Sequence, residues 1–194
     1  MRFSPSHQRG VVLIFTLIIL LILSIGAVAL VRSMKTSLAT AGNLSFRRDL
    51  VNQGEQAVSA VIAAFKTGAF TSSSATDADN SAANYSSTVL ATNGQGVPDA
   101  LLSNTAFARV GTSVNDIVGA TPDVNIRYVV DRLCSATGPS SGALCVQTTA
   151  APTGGTAPGN GLPPPSATVY RLSVRVSGPR STQVFIQTTF TKPD

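Results

Sequence analysis

The chain has 194 residues, of which 43% are apolar and 12% charged, and its formal net charge is +5. That length suits one domain with an anchor rather than two full domains. His7 is the single histidine, so a metal site built from histidines is excluded, and any Ser-His-Asp or Cys-His site would need this one residue near the N-terminus. The sequence has no dinucleotide-binding, Walker or Cys-x-x-Cys motif, so we expect a protein that is not an enzyme and uses no cofactor.

The first predicted element is a membrane-spanning helix over residues 11–31, a run of 21 residues without a charge. At about 1.5 Å per residue, such a helix crosses the ~30 Å hydrocarbon core. A helix can satisfy the hydroxyls of Thr16 and Ser24 on its own carbonyl groups. One alternative is a buried helix of a soluble protein, which would need a larger core than this chain can supply. The other is a cleaved secretory signal, whose apolar region is shorter, about 7–15 residues.

The ten residues before this helix are MRFSPSHQRG, a short basic segment that ends in Arg9-Gly10 directly against the apolar run. In this feature the sequence resembles type IV pilins and their pseudopilin relatives. The resemblance implies that residues 1–10 are a leader and that a prepilin peptidase cleaves between Gly10 and Val11 and methylates the new N-terminus, Val11. The apolar segment then serves as an inner-membrane anchor and later as filament core. The alternative is that Arg9-Gly10 is the basic flank of an ordinary membrane anchor.

The fifth residue after this cleavage site is Phe15, where most pilins have a glutamate, and residues 11–31 contain no acid at all. In the pilin family that glutamate pairs with the N-terminal amine of a neighbouring subunit. An unpaired charge in an apolar core is energetically costly, and a subunit without the glutamate would leave its neighbour's amine unpaired. Such a subunit therefore suits the end of a filament better than its shaft. The family branches that lack it are the PilX-type minor pilins and the K-type pseudopilins of type II secretion.

The basic residues after the apolar run do not by themselves predict a periplasmic body. The positive-inside rule would keep the side with Arg32, Lys35, Arg47 and Arg48 in the cytoplasm. The leader and the cysteines described below favour the opposite orientation. We therefore expect a single-pass protein of the bacterial inner membrane with a periplasmic C-terminal body, which moves after assembly to the pilus tip at the cell surface.

Residues 32–66 are predicted to continue the helix as its amphipathic half, because they are rich in helix formers and free of proline. The predicted apolar face contains Val58, Val61, Ile62 and Phe65, and a narrower stripe continues it backward through Leu50, Gly54 and Ala57. The segments Ala41-Gly42-Asn43-Leu44 and Gln53-Gly54-Glu55-Gln56-Ala57 resemble the N-terminal region of PilX-type minor pilins. Glu55, the single glutamate, is interpreted as a solvated helix residue.

Residues 67–124 are predicted to be a variable region of loops with a short helix. The part over 68–96 is rich in Ser, Thr, Ala, Asn and Gly, which is typical of loops rather than of packed structure. The part over 97–118 contains Leu101, Leu102, Phe107 and Val110, which could cover a sheet as a short helix.

Residues 125–194 are predicted to form an antiparallel β-sheet, which gives an α+β fold of the type IV pilin kind. Alternating patterns predict strands over 125–131, 168–176 and 181–190, the last two as a hairpin. In the second strand Tyr170, Leu172, Val174 and Val176 are expected to face the core, and Val169, Arg171, Ser173 and Arg175 the solvent. The hairpin sequence closely resembles the terminal hairpin of PilX-type minor pilins. The Pro- and Gly-rich stretch 150–166 is interpreted as an excursion between strands.

Cys134 and Cys145 are the two cysteines, and they flank a loop that contains Gly138-Pro139. A disulfide between them would close a short loop and would agree with a periplasmic location. Two buried free thiols are the alternative.

Together these features resemble a PilX-type minor pilin that primes type IV pilus assembly and sits in the tip complex. The resemblance implies sibling minor pilins, the major pilin, prepilin peptidase and a large tip adhesin as partners, and a role in twitching motility and adhesion. One alternative is a K-type pseudopilin that caps a type II secretion pseudopilus. Another is a DNA-binding competence pilin with a surface stripe such as Arg171 and Arg175. Nucleic acid is not an expected partner, because the basic residues are scattered without a run of four.

Overall fold

A computed structural model describes residues 9–121, 123–149 and 166–193, which adopt an α+β layout. The helices are α1 (Arg9–Thr67) and the short α2 (Asn104–Phe107), and the strands are β1 (Tyr85–Ser86), β2 (Ile117–Val118), β3 (Asn125–Arg132), β4 (Gln147–Thr149), β5 (Ser166–Ser177) and β6 (Gln183–Pro193). The chain divides into two compact units, residues 1–47 and 48–194. Most of the predicted leader and nearly all of the excursion predicted over 150–166 lie outside the described residues.

The helix α1 runs without a break from Arg9 to Thr67, close to the limits of 11 and 66 that the sequence predicts. The helix contains no proline, and proline is the residue that would remove a backbone hydrogen bond and break it. Its first part belongs to the first unit and its part from residue 48 onward to the second.

The strand β5 lies at the centre of the sheet in the second unit. On one side it pairs with β6, and on the other side with β3 and, near its start, with β4. The short strands β1 and β2 both pair with β3. The β1–β3 pair is parallel and the other pairs are antiparallel, so the sheet is mixed. The expectation of an antiparallel sheet is wrong at this edge because β1 comes from the region in which the sequence predicts only loops.

The second unit contains residues 48–67 of α1, which pack on the sheet through a single stripe. The buried members of the stripe are Leu50, Gln53, Gly54, Ala57, Val61 and Phe65. The predicted face included Val58 and Ile62, but Val58 is half-buried and Ile62 is 37% exposed. The face toward the sheet is therefore the narrower predicted stripe, which contains Gly54, and not its edge at Val58 and Ile62.

Gly54 permits this close approach because it has no Cβ. A Cβ at this position would lie 3.0 Å from Val176 Cγ2 and closer still to Ile186 Cδ1. We expect Gly54→Ala to lower the free energy of unfolding by ~1 kcal/mol, since the cost of overpacking exceeds the gain in helix propensity. Urea unfolding of the full chain in detergent measures the change.

The matched control is Gly42→Ala, where a Cβ meets nothing within 4 Å. At this position the substitution changes only the helix propensity, which is higher for alanine than for glycine. The Gly42→Ala variant should therefore be as stable as the parent or more stable. A gain in stability for Gly54→Ala would contradict the close packing of α1 on β5 and β6.

An aromatic cluster joins the last turns of α1 to the sheet. Its members are Phe65, Phe70, Tyr85, Tyr170 and Phe190. The ring centroid of Phe65 lies 4.7 Å from that of Phe70, 4.8 Å from that of Phe190 and 5.0 Å from that of Tyr170. With Tyr85, whose ring centroid lies 6.4 Å from that of Phe65, Phe65 neighbours rings from four separate parts of the chain, which makes it the central residue of this cluster.

Part of the region 68–96 packs into the domain, although the sequence predicts loops there rather than packed structure. Phe70 and Tyr85 are buried, and the Tyr85 hydroxyl donates a hydrogen bond of 2.7 Å to the Thr76 carbonyl. Burial raises the pKa of the Tyr85 hydroxyl, so it stays protonated as a donor. The Asp79 carboxylate accepts hydrogen bonds from the backbone N–H and the hydroxyl of Ser87. Two buried aromatic residues and specific polar pairs hold this region in place. The amino-acid composition of the region does not predict either kind of contact.

The opposite face of the sheet is covered as well. Residues 90–110, here called the covering segment, place Leu101 and Phe107 against Val129 of β3, as the apolar residues in this part of the sequence predict. Ser173 of β5 is also buried. The expectation that this face of β5 meets solvent is therefore wrong, because a second layer built from irregular chain covers it.

Candidate functional site

The most distinctive surface of the chain is the apolar part of α1 in the first unit. Its large side chains from Val11 to Val31 are between 46% and 68% exposed, and Phe15 is 61% exposed. Exposed apolar area on this scale is far beyond what soluble monomers leave in water. A segment of this kind is stabilised by an apolar environment such as lipid rather than by water.

The polar groups within this segment are satisfied locally, as predicted. The Thr16 hydroxyl donates to the Leu13 carbonyl at 2.9 Å, and the Ser24 hydroxyl donates to the Leu20 carbonyl at 2.8 Å. By length and composition, α1 is apolar enough to cross a membrane. In lipid every backbone group must be paired within the segment, and an unbroken helix meets that requirement.

The predicted cleavage site lies at the start of α1, where Gly10 and Val11 both have helical backbone. Cleavage after Gly10 and methylation of Val11 remain predictions. Phe15 is 61% exposed, so α1 presents an apolar ring at this position.

Cys134 and Cys145 form a disulfide that closes a short loop. Both cysteines are buried, and the Ser135 N–H donates to the Leu144 carbonyl at 2.8 Å across the neck of the loop. Beside the bond, apolar side chains that include Val89, Leu144 and Val146 line a shallow groove of about 450 Å³. Val146 is 56% exposed in this groove.

We expect the double variant Cys134→Ser, Cys145→Ser to lose ~3 kcal/mol of stability, because the bond closes a short loop in the unfolded chain. Urea unfolding of the full chain measures the loss. The wild-type protein treated with a reductant should unfold at the same urea concentration as the double variant, and reductant should not shift the variant further. An unchanged midpoint in the double variant would show that the bond contributes nothing to stability.

Arg171 and Arg175, the residues of the postulated DNA-binding stripe, are bound within the domain. The Arg171 guanidinium pairs with the fully buried Asp131 carboxylate and donates to the Leu90 carbonyl at 3.1 Å. Arg175 donates to the Leu101 carbonyl at 2.6 Å. Burial, and to a smaller degree the like charge of Arg127, lowers the pKa of the Arg175 guanidinium. These two arginines fasten the covering segment to β5 and do not form an open basic stripe.

Two arginines of β3 make similar contacts, Arg127 in part with the covering segment and Arg132 with residues outside it. Arg127 forms a bidentate pair with Asp116, and its guanidinium carbon lies 4.3 Å from the centre of the Phe107 ring. Arg132 is fully buried and donates to the Ser87 carbonyl at 3.0 Å and the Gly138 carbonyl at 2.7 Å. Together with Arg171 and Arg175, these residues tie irregular chain to the sheet.

The acidic partners of these arginines were not identified from the sequence as important residues. Asp116 pairs with Arg127, Asp77 with Arg132 and Asp131 with Arg171. A signal was present, because Asp131 interrupts an apolar strand and a charge there requires a partner. The sequence does not reveal which of the scattered arginines supplies it.

Within residues 9–121, 123–149 and 166–193, no group of three or more His, Cys, Asp or Glu side chains could hold a metal ion. A comparison of the chain with protein-family models, curated proteins and solved structures finds no match.

Proposed function

We propose that this chain is a PilX-type minor pilin that primes type IV pilus assembly and resides in the tip complex. The observation that supports this best is the unbroken helix α1. It starts at Arg9, in the basic segment that ends at Gly10, continues as an exposed apolar span, and ends as part of the second compact unit, where it packs on the sheet. One helix thus serves first as a membrane anchor and then as a surface for packing against the helices of other subunits.

In this proposal the chain acts by assembly and not by catalysis. Prepilin peptidase removes residues 1–10 and methylates Val11. The apolar span anchors the subunit in the inner membrane until it packs against sibling minor pilins and the major pilin. Because Phe15 replaces the glutamate that would pair with a neighbour's amine, the subunit suits the filament end, where a large tip adhesin is a further partner.

The alternatives receive less support from the described residues. A K-type pseudopilin usually has a large inserted helical domain, whereas between Thr67 and Asn125 the longest helix in the described part is α2, with four residues. A DNA-binding competence pilin would need Arg171 and Arg175 at an open surface, and both are engaged within the domain.

Mass spectrometry of the protein from cells with and without prepilin peptidase tests the proposed class. We expect a mature chain that begins at methylated Val11 only when the peptidase is present, and we expect Gly10→Leu to abolish it because a side chain there obstructs the cleavage site. Gly26→Leu is the matched control: a Cβ at Gly26 meets nothing within 4 Å, and processing should be unchanged.

An intact N-terminus at Met1 in both strains would overturn the pilin proposal. The tip role is tested separately by a clean deletion, which should reduce piliation and twitching motility. Normal piliation in the deletion strain, together with correct processing, would leave a pilin-like protein that does not prime the pilus.

A further inference from the structure

Residues 93–97 form a tight turn near the start of the covering segment. The Asn93 N–H donates to the Val97 carbonyl at 2.9 Å, and the Gly96 N–H donates to the Asn93 carbonyl at 3.0 Å. Gly96 has a φ of 80°, in the left-handed region that glycine adopts readily. The chain therefore turns back on itself immediately after Asn93.

The side-chain amide of Asn93 lies against the backbone of this turn. Its Oδ1 accepts a hydrogen bond from the Gln95 N–H at 2.9 Å and another from the Val97 N–H at 3.0 Å. Two donors on one carbonyl oxygen favour negative charge on that oxygen, so they make the adjoining Cγ more open to attack by a nucleophile. Among the described residues, none hydrogen-bonds to the Asn93 Nδ2, so none of these contacts holds the amide nitrogen in place.

The following residue supplies a nucleophile. The backbone nitrogen of Gly94 can close a small ring, a succinimide, with the Asn93 Cγ. Gly94 is exposed, and its N–H donates to no acceptor in the part of the chain that the structure describes. Glycine also has no Cβ that would obstruct the approach of this nitrogen. The turn thus combines a free nucleophile, an activated carbonyl and an unbound leaving group.

We propose that Asn93 is a self-modification site, at which the turn accelerates conversion of the asparagine to aspartate and isoaspartate. The Gly94 nitrogen gives its proton to solvent and forms a bond with the Asn93 Cγ. The Oδ1 carries the developing negative charge between the N–H groups of Gln95 and Val97. The Cγ–Nδ2 bond then breaks, and the amide nitrogen takes up a proton and leaves as ammonia.

Water completes the reaction. It adds to either carbonyl of the succinimide ring and breaks one of the two C–N bonds, which gives aspartate or isoaspartate without any change in oxidation state. The only co-reactant is water and the only product released is ammonia. This inference goes beyond the proposed function and does not depend on it.

The two products affect the covering segment differently. Aspartate keeps an acceptor oxygen and adds a negative charge, so the bonds from Gln95 and Val97 are retained. Isoaspartate moves the former side-chain carbon into the main chain and lengthens the backbone before Gly94. The Gly96 carbonyl accepts from the Gln187 Nε2 of β6 at 3.2 Å, and Val97 packs against the buried cluster below the covering segment. Isoaspartate should therefore loosen this part of the segment from the sheet.

The test follows the chemistry at Asn93 in the folded full chain in detergent. Mass spectrometry of proteolytic peptides after incubation measures the loss of the amide, and chromatography separates isoaspartate from aspartate. The other Asn-Gly pair of the sequence, Asn160-Gly161, lies on a different tryptic peptide and is measured separately.

A synthetic peptide of residues 91–98 in the same buffer is the reference, because it has the same Asn-Gly sequence without the rest of the domain. We expect the amide of Asn93 to be lost roughly tenfold faster in the folded chain, less than the ~100-fold that one donor contributes in an enzyme's oxyanion hole.

The matched variants are Gln95→Ala and Gln95→Pro. Both remove the same exposed side chain, but only proline removes the N–H that donates to the Asn93 Oδ1. We expect Gln95→Ala to react at the wild-type rate and Gln95→Pro several-fold more slowly. If Gln95→Pro does not fold, the comparison of the folded wild-type chain with the peptide decides the question.

Gly94→Ala tests the nucleophile. A Cβ at Gly94 meets nothing within 4 Å, so the fold should be retained, while the added methyl group obstructs the attacking nitrogen. We expect the loss of the Asn93 amide to slow roughly tenfold or more in this variant.

Four results would overturn the proposal. The first is equal or slower loss of the amide in the folded chain than in the peptide, which would show that the turn protects Asn93. The second is aspartate as the sole product, because hydrolysis without the ring gives no isoaspartate. The third is an equal rate in folded Gln95→Ala and folded Gln95→Pro, and the fourth is an unchanged rate in Gly94→Ala. None of these results bears on cleavage at Gly10, so the two proposals fail separately.

Discussion

Replacing Asp131 with alanine is expected to lower the free energy of unfolding by ~3–5 kcal/mol. The Asp131 side chain is fully buried, pairs with Arg171 across β3 and β5, and accepts a hydrogen bond of 2.9 Å from the Leu90 N–H. Its removal leaves the mostly buried Arg171 guanidinium without a counter-charge. The Leu90 N–H loses its acceptor at the same time, so the covering segment is loosened from the sheet.

Urea unfolding of the full chain in detergent measures this loss. The stability of Asp131→Asn should fall between those of the wild-type protein and Asp131→Ala. Its amide oxygen still accepts a hydrogen bond from the Leu90 N–H, but the negative charge that pairs with Arg171 is gone. Asp123→Ala is the matched control at an exposed position and should change stability by no more than ~0.5 kcal/mol. A loss below ~1 kcal/mol for Asp131→Ala would show that the ion pair is not a main attachment of the covering segment.

Replacing Phe65 with alanine is expected to cost ~3–5 kcal/mol, because it opens a cavity at the centre of the aromatic cluster. The Phe65 ring contacts the rings of Phe70, Tyr170 and Phe190. Its removal therefore takes away the contacts that join α1 to the turn after it and to both strands of the hairpin. Phe65→Leu retains much of the volume and should cost less than the alanine variant.

The matched control is Phe185→Ala, where a phenylalanine of β6 is 37% exposed and lies outside the aromatic cluster. The stability lost in Phe185→Ala should be well below that lost in Phe65→Ala, since less apolar area is removed from the interior. Equal effects of the two variants on the urea midpoint would contradict a central role for Phe65.

The elements that the sequence predicts well are those with a long, regular pattern. The uncharged run of residues 11–31 and the proline-free stretch after it predict α1 almost to its ends. Alternation of apolar and polar residues predicts β3 and the β5–β6 hairpin. In each case the spacing of the apolar residues matches the repeat of the helix or strand. The neighbouring residues in the sequence are therefore sufficient to predict the element.

What the sequence does not predict depends on long-range contacts. The strand β1 has two residues, too few for a pattern, and it pairs with the distant strand β3 while Tyr85 is buried in the aromatic cluster. Arg171 and Arg175 alternate with apolar residues as surface side chains do, and their burial depends on Asp131 and on carbonyl groups of the covering segment. The sequence places Gly54 on the apolar stripe of α1, but it does not show how closely Val176 and Ile186 approach this residue.

The continuity of α1 has a mechanical consequence. The boundary between the two compact units, at residues 47 and 48, falls inside α1, so a pull on the apolar span is carried by helical backbone into residues 48–67. That load acts in shear along the stripe from Leu50 to Phe65, where the side chains must slip past β5 and β6 together rather than one after another. A force along this helix is thus resisted by the helix–sheet contacts together, among them the close approach at Gly54.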